Sequence, residues 1–313
     1  MHDTGIRFGL HSGQQYRSID ECRELWRRAE ELGFDLLSVF DHLRPPLGGP
    51  AGPCFEGTTL LAAMAASTSR IRCVMLVSAV TWRHPAITAA VAATVDHISG
   101  GRLEFGMGAG GPDLGYEQYA IDLPRRPARL EMLDEACEVL RGLWSGRESS
   151  FAGTHYRLDR AHLQPPPVQR RLPLVIGGES DEILRIAARH ADVWNTIVSD
   201  PGEYREKLAR LARHCRDAGR DPGEIRKSVT FRAALAGDES EARRRRARLS
   251  ATLPPEVLRE YLTFGTPERC AEDLRVYREL GVGDFVLGAR PPIDWTTVEL
   301  VAREVAPALR EAF

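Results

Sequence analysis

Residues 71–111 read IRCVMLVSAVTWRHPAITAAVAATVDHISGGRLEFGMGAGG, and the fold follows from this stretch. Ile71–Val80 is a near-continuous apolar run of strand length, with no wet face, as expected of a strand covered on both sides. Pro85–Ile98 is alanine-rich with larger residues at Ile87, Val91, Val95 and Ile98, a helical spacing. Ser99-Gly100-Gly101 stops that helix, and Leu103–Met107 is a second strand that dissolves into glycines. Strand, helix and strand within so few residues make a βαβ unit, with parallel strands and a right-handed crossover. Both strands end in small residues, Ser78-Ala79 and Gly106–Gly111, which predicts floor space for a large flat ligand.

The same alternation runs through the chain. Apolar strands are expected at Ile6–His11, Leu36–Phe40, Leu174–Gly177, Asp192–Ile197, Ser228–Leu235 and Asp284–Leu287. The helices between them include one opened by a Ser18/Glu21 capping box and closed by Gly33, and an amphipathic one over Pro127–Trp144. Phe151–Gln164 reads as an inserted hairpin, and the segments from Leu235 through Leu280 read as helical. About eight strands alternating with helices, with no linker composition, give one α/β domain over residues 1–313 with a parallel sheet.

Composition narrows the class. A net charge of −2 over 313 residues predicts neither a nucleic-acid nor a membrane partner. No apolar run approaches the roughly 18 residues of a membrane span, and the N-terminus lacks a signal layout. Six scattered cysteines without a CxxC pair predict a reduced, cytoplasmic protein without a thiolate metal site.

Several residues sit where chemistry is expected. Asp41-His42 ends a strand, and an imidazole beside a carboxylate is the leading candidate for proton transfer. His11 ends the first strand in the same way; His84, in a Trp-Arg-His-Pro helix start, reads as structural. Gly106–Gly111 satisfies GxGxxG, but Pro112 follows and the next helix starts near Pro127, which argues against a dinucleotide fingerprint. Gly177-Gly178-Glu179-Ser180 leads from a strand into a helix, where backbone N–H groups can face an anion or Ser180 can simply cap. The neighbouring acids Glu179, Asp181 and Glu182 would repel a phosphate if they pointed at it. A metal-dependent hydrolase is not supported, because no His-x-His or clustered carboxylates end a strand.

The long string VSAVTWRHPAITAAVAATVDHISGGRLEFGMGAGG resembles the third and fourth βα units of the bacterial luciferase-like flavin enzymes, in the style of the branch using the deazaflavin coenzyme F420. The resemblance extends from Phe8 to about Ile197 and implies a (β/α)8 TIM barrel with insertions and a site at its C-terminal mouth. It implies hydride transfer between coenzyme F420 and an organic substrate, with His42 and Asp41 as the acid–base pair, in a homodimer. The runner-up is FMN-dependent monooxygenation fed by a separate flavin reductase; a non-catalytic flavin-binding barrel comes third. By the same resemblance, Ser78, Ala79 and Val80 hold a non-proline cis peptide against the flavin ring. Gly108, Ala109, Gly110 and Gly111 pass its side chain, with Glu117 beyond them. Gly177, Gly178, Glu179 and Ser180 take the phosphate, and His11, Trp194 and Asn195 reach the cofactor, with a buried core role the competing reading of Trp194. Arg243–Arg246 is either a solvated helix face or a clamp for the anionic polyglutamate tail. Relatives acting on glucose 6-phosphate carry a glutamate and a tryptophan where this chain has Gly111 and Pro46, so that substrate is not expected. Specificity is assigned to the loops Leu43–Gly57, Pro112–Pro127 and Gly237–Phe264.

Overall fold

A computed structural model describes residues 5–11, 13–45, 51–111, 115–258 and 261–312; Pro46 lies outside them. Eight parallel strands close into a barrel: β1 (Arg7–His11), β2 (Leu36–Val39), β3 (Arg72–Ala79), β4 (Leu103–Gly108), β7 (Leu174–Gly177), β8 (Val193–Ile197), β9 (Arg226–Leu235) and β11 (Val282–Gly288). Closure runs from β8 to β9 and from β11 back to β1. All eight expected strands are present. The expected hairpin is the antiparallel pair β5 (Ser149–Ala152) and β6 (Arg157–Ala161).

The helices form where their ends are chemically marked. Ser18 and Glu21 make the reciprocal capping box of α1 (Ile19–Glu31). Glu56 caps α2 (Gly57–Ser67), and His84 caps α3 (Pro85–Ser99) through Nδ1, a structural role. Arg126–Trp144 is α4, Asp181–His190 α5 and Pro201–Asp217 α6. Glu239–Thr252 is α7, Pro255–Leu258 α8, Pro267–Glu279 α9, Trp295–Leu300 α10 and Ala306–Glu311 α11.

Two expectations change. The helical reading from Leu235 to Leu280 misses β10 (Tyr261–Gly265), which pairs with Arg232–Leu235, the part of β9 that runs beyond the closed ring. The face of α3 is also different: Thr88, Ala89, Ala92, Ala93 and Asp96 are buried, while Ile87 and Ile98 are 57% and 43% exposed. Small residues let α3 lie close to the sheet, so Ile87 and Ile98 turn outward, while Val95 is buried and Val91 half-buried.

The barrel interior is layered, because every second residue of a strand points inward. At the N-terminal end, Arg7 is held by Glu104 at 2.7 Å and Asp284 at 2.7 Å. Arg72 reaches Glu104 at 2.6 Å and Arg226 reaches Asp284 at 2.5 Å. The middle layer is apolar, from Leu36, Val74, Val175, Val193 and Val286. Towards the C-terminal end the lining becomes polar and small, with His11, Ser38, Gly108, Gly177, Asn195 and Thr230. Of the described helices, none is long and apolar enough to cross a membrane, and all six cysteines are free.

Candidate active site

The C-terminal mouth holds a cavity of about 150 Å³, lined by His11, His42, Gln15, Phe40, Leu76 and Arg232 among others. His11 is fixed through Nδ1 to Ser38 Oγ at 2.7 Å. His42 packs on the Phe40 ring with centroids 4.7 Å apart. Burial pushes both imidazoles down from 6.5 to about 4; the Arg232 charge assists at His11, and the nearby Asp41 charge works in the opposite direction at His42. Both are therefore neutral near pH 7. His42 Nδ1 and Gln15 Oε1 are buried without a hydrogen-bond partner. Buried polar groups are ordinarily satisfied, so unpartnered atoms on two residues that line one cavity point to a ligand.

Asp41 is placed differently from expectation. Its carboxylate accepts from Ser78 Oγ at 2.5 Å and is paired with both Nη atoms of Arg83, which also reaches Glu56. Its backbone carbonyl accepts from Trp82 Nε1 at 2.8 Å. Asp41 is thus a buried strut tying β2 to the end of β3, and Ser78 is part of that strut. It influences His42 through its charge and the backbone it anchors.

The expected open floor is partly occupied. The β3–β4 register shifts between Met75 and Ser78, and the non-proline cis peptide lies at Leu76–Val77, before the Ser78–Val80 stretch where it was expected. The bulge lays Val77 over β4 and β7. A Cβ on Gly106 would stand 2.2 Å from the Met75 carbonyl oxygen and 2.8 Å from Val77 Cγ1, and one on Gly108 2.8 Å from Val77 Cγ2. These glycines make room for a protein side chain. Ala79 and Val80 are buried at the β4 edge, with the Val80 amide on the Gly108 carbonyl at 2.9 Å. Ala109 and Gly111 are half-buried, and the space a Gly111 Cβ would enter is open.

Tyr116, beyond the glycines, is buried; it stacks on Trp82 at 4.2 Å and its hydroxyl bonds Thr81 Oγ1. Glu117 begins an exposed 3-10 turn.

At the β7–α5 turn, Gly178 has φ +124°, a conformation glycine supplies, and Ser180 caps α5. The flanking acids are each engaged. Glu179 is held below the usual carboxylate range mainly by its hydrogen bond from Lys207, at 2.5 Å. Asp181 pairs with His214 and Arg213, and Glu182 with Arg126. Arg126 Nη2 also donates to Ser180 Oγ at 2.8 Å. Arg129, one turn along α4, is only 8% exposed, with Nη1 on the Pro124 carbonyl, Nε unpartnered and, among the described residues, no ion pair. A helix N-terminus beside a bridging guanidinium suits a phosphate. The sequence reading missed Arg126 and Arg129; PRRPARL next to a helix start was the available signal.

Trp194 faces the helix layer: it is fully buried, stacks on Tyr204 at 5.8 Å and donates Nε1 to the Gly178 carbonyl at 2.8 Å. The core reading holds for it, and it supports the turn from behind. Asn195, one residue on, points into the lumen and donates to Ser228 Oγ at 2.9 Å. In the arginine run, Arg243 and Arg244 are solvated and pair with Glu239 and Glu241, whereas Arg245 turns inward to Asp294.

Comparison with known proteins follows the same lines. The chain is 32% identical over 207 residues to the F420-dependent glucose-6-phosphate dehydrogenase of Microbacterium testaceum, covering 65% of this chain and 60% of that protein's length. It is 30% identical over 248 residues to the pyrimidine monooxygenase RutA of Acinetobacter baylyi, covering 77% of this chain and 66% of that one. In fold it matches an F420-dependent secondary alcohol dehydrogenase, solved with an F420–acetone adduct, at a TM-score of 0.83 and 22% identity over 98% of this chain and 99% of that one. The family model described as luciferase-like monooxygenase matches residues 3–253, and the chain belongs to that family.

Proposed function

We propose that this protein is an oxidoreductase that exchanges a hydride between coenzyme F420 and an organic substrate at the C-terminal mouth of the barrel. The observation that carries the reading is His42: a buried, neutral imidazole with an unpartnered Nδ1, in a cavity on the rim of the barrel. The similarity to an F420-dependent dehydrogenase supports the choice of coenzyme.

The residues fit such a coenzyme. Gly177, Gly178 and Ser180, with Arg126 and Arg129, would hold its phosphate, since the local acids already have cationic partners. The Val77 bulge and the small residues of β4 would support one face of its ring system. When bound, the deazaflavin supplies two-electron hydride chemistry. His42 supplies the proton step: neutral at pH 7, its free nitrogen accepts the hydroxyl proton of a substrate being oxidised to a carbonyl and passes it to water. Asp41, clamped by Ser78 and Arg83, positions the backbone that carries His42.

The similarity to a pyrimidine monooxygenase favours a second reading, in which FMN takes the same cradle and a separate reductase supplies its electrons. Titration of the purified protein with coenzyme F420 and with FMN, followed by fluorescence, tests the choice. Micromolar F420 binding with weak FMN binding is the expected result; FMN preference would replace the first reading with the second, and binding of neither would remove both. A homodimer is part of the proposal. The exposed Ile87 and Ile98 on one face of α3 are the surface we assign to it, and light scattering of Ile87→Arg against the parent tests the assignment.

A further inference from the structure

Two adjacent glutamines follow β1, and the fold treats them differently. Gln14 is fully buried and satisfied: its Nε2 donates to the Phe40 carbonyl and, at 3.2 Å, to the Phe55 carbonyl, and its Oε1 accepts from the Phe40 amide at 3.3 Å. Gln15 is only 6% exposed, but its buried Oε1 has no partner and its Nε2 bonds no described residue. The backbone that carries it is fixed. Gln15 bridges to Cys54, and the next amide, of Tyr16, donates to the Pro53 carbonyl at 2.8 Å. Gly13 has φ +62°, and a Cβ there would stand 2.6 Å from Phe40 Cε1 and 3.2 Å from Gln15 Oε1. The turn thus keeps a glycine where a side chain would crowd the Gln15 amide. A buried amide without a partner costs stability, and a ligand that completes it is what gives it a use.

Resting on the oxidoreductase reading above, we infer that Gln15 is a substrate-binding residue and that the substrate is an alcohol with a second hydroxyl beside the one that reacts. Gln15 and His42 line one cavity of about 150 Å³. At about 30 Å³ per water that is the volume of about five waters, so their two partners on one molecule lie a few bonds apart. An amide oxygen only accepts, so the group it meets is a donor. No carboxylate is among the described residues lining the cavity, so an ammonium donor would enter without a counter-charge, whereas a hydroxyl needs none. In the reaction the first hydroxyl gives its proton to His42 Nδ1 and its carbon loses a hydride to the deazaflavin, leaving a carbonyl. The second hydroxyl keeps its proton and stays on Gln15. An alcohol that lacks it leaves the buried amide unanswered, and a site built to hydrogen-bond a substrate group rejects most strongly the analogue without that group.

The test measures dissociation constants on the full-length protein loaded with coenzyme F420, using trans-cyclohexane-1,2-diol, its monomethyl ether and cyclohexanol. The diol is expected to bind at least tenfold tighter than either relative, because the ether has an oxygen in the second position but no proton for Gln15. Gln15→Leu should bring the three within twofold of one another and leave coenzyme affinity within twofold. It should not lower the melting temperature, since it removes no hydrogen bond of the protein. Gln15→Glu, which keeps an acceptor, should keep the preference for the diol. An ether that bound as tightly as the diol would overturn the donor, and cyclohexanol binding as tightly, or none of the three binding, would overturn the second hydroxyl. Weakened coenzyme binding in Gln15→Leu would assign the amide to the coenzyme, and a lowered melting temperature with the preference unchanged would make it structural; either overturns the inference alone. A parent protein that bound no coenzyme would instead sink the oxidoreductase reading on which the inference rests.

Discussion

The two ends of the barrel are made by the same eight strands and close in opposite ways. The N-terminal end contains a cavity of about 590 Å³, and the C-terminal side carries one of about 150 Å³ at the mouth and one of about 730 Å³ between residues 16–24 and 291–295. Size alone does not choose the site. In the lower cavity the charges answer one another: Arg7 and Arg72 meet Glu104, Arg226 meets Asp284, and Arg171 meets Asp192. No buried polar side-chain atom of the described residues lining it lacks a partner. At the mouth, His42 Nδ1 and Gln15 Oε1 are buried and unanswered. Unmet hydrogen-bonding capacity distinguishes a site from a plug, because a plug has no second occupant to supply the missing partner.

Exchanging one group at each end should give different failures, and the largest is at the mouth. His42→Ala is expected to lower kcat by 10²–10⁴-fold, the usual contribution of a positioned proton acceptor, with coenzyme affinity retained. A variant that kept full turnover would remove the mechanism. At the other end, Glu104→Ala leaves Arg7 with Asp284 alone and takes the carboxylate from Arg72, and should cost about 1–3 kcal/mol of stability in denaturant unfolding. Its coenzyme Kd should be unchanged below the transition. A Glu104 variant that lost coenzyme affinity while folded would mean the two ends are coupled.

How much of this was legible beforehand depends on which forces set each feature. The strands were legible because a barrel buried on both faces demands apolar runs such as Leu174–Gly177, and the capping box at Ser18 is local chemistry. Asp41-His42 was found through its place at a strand end. The direction of Asp41 was not, because its partners Ser78 and Arg83 lie 37 and 42 residues away. The glycines of β4 were noticed, but not that two of them accommodate Val77, since only the register shift brings it over them. Strand β10 escaped because its pairing partner is an extension of β9 that no local pattern marks. Arg129 needed three dimensions: neither the burial of its guanidinium nor the unpartnered Nε can be read from the sequence.

Acid should break the two ends in different windows. His11 and His42 fall from 6.5 to about 4 in the folded protein, so the unfolded chain takes up protons in that interval that the folded chain refuses. Their contribution is complete above pH 6.5, declines as the pH drops and is gone below about 4, up to about 3 kcal/mol for each. Glu104 has the opposite character. Burial raises its pKa, but Arg7 and Arg72 outweigh burial and leave it depressed, so its contribution is present above its ordinary value of 4.5 and is lost as the pH falls below that. Unfolding measured from pH 7 to 4 should flatten in His11→Asn or His42→Asn and keep its slope in a Glu104 variant. Equal slopes in all of them would show that the buried imidazoles are protonated in the folded state.

The smallest contrast is also the most controlled, because it compares one residue type at both ends. Arg126 and Arg171 are both largely exposed, with side chains 51% and 63% accessible, and each pairs with a carboxylate, Glu182 and Asp192 respectively. Exposed pairs contribute little, so either alanine variant should melt within a few degrees of the parent. Asp192 keeps Arg141 when Arg171 is removed, which makes the lower loss smaller still. The difference lies in what else each guanidinium touches. Arg126 also holds Ser180 Oγ at the N-terminus of α5, beside the glycine turn, and its removal subtracts a positive charge from the phosphate cradle. Arg126→Ala should therefore weaken coenzyme binding about tenfold and reduce its salt dependence, while Arg171→Ala leaves both unchanged. If the two variants bound coenzyme equally well, the cradle at Gly177–Ser180 would be a helix cap and nothing more.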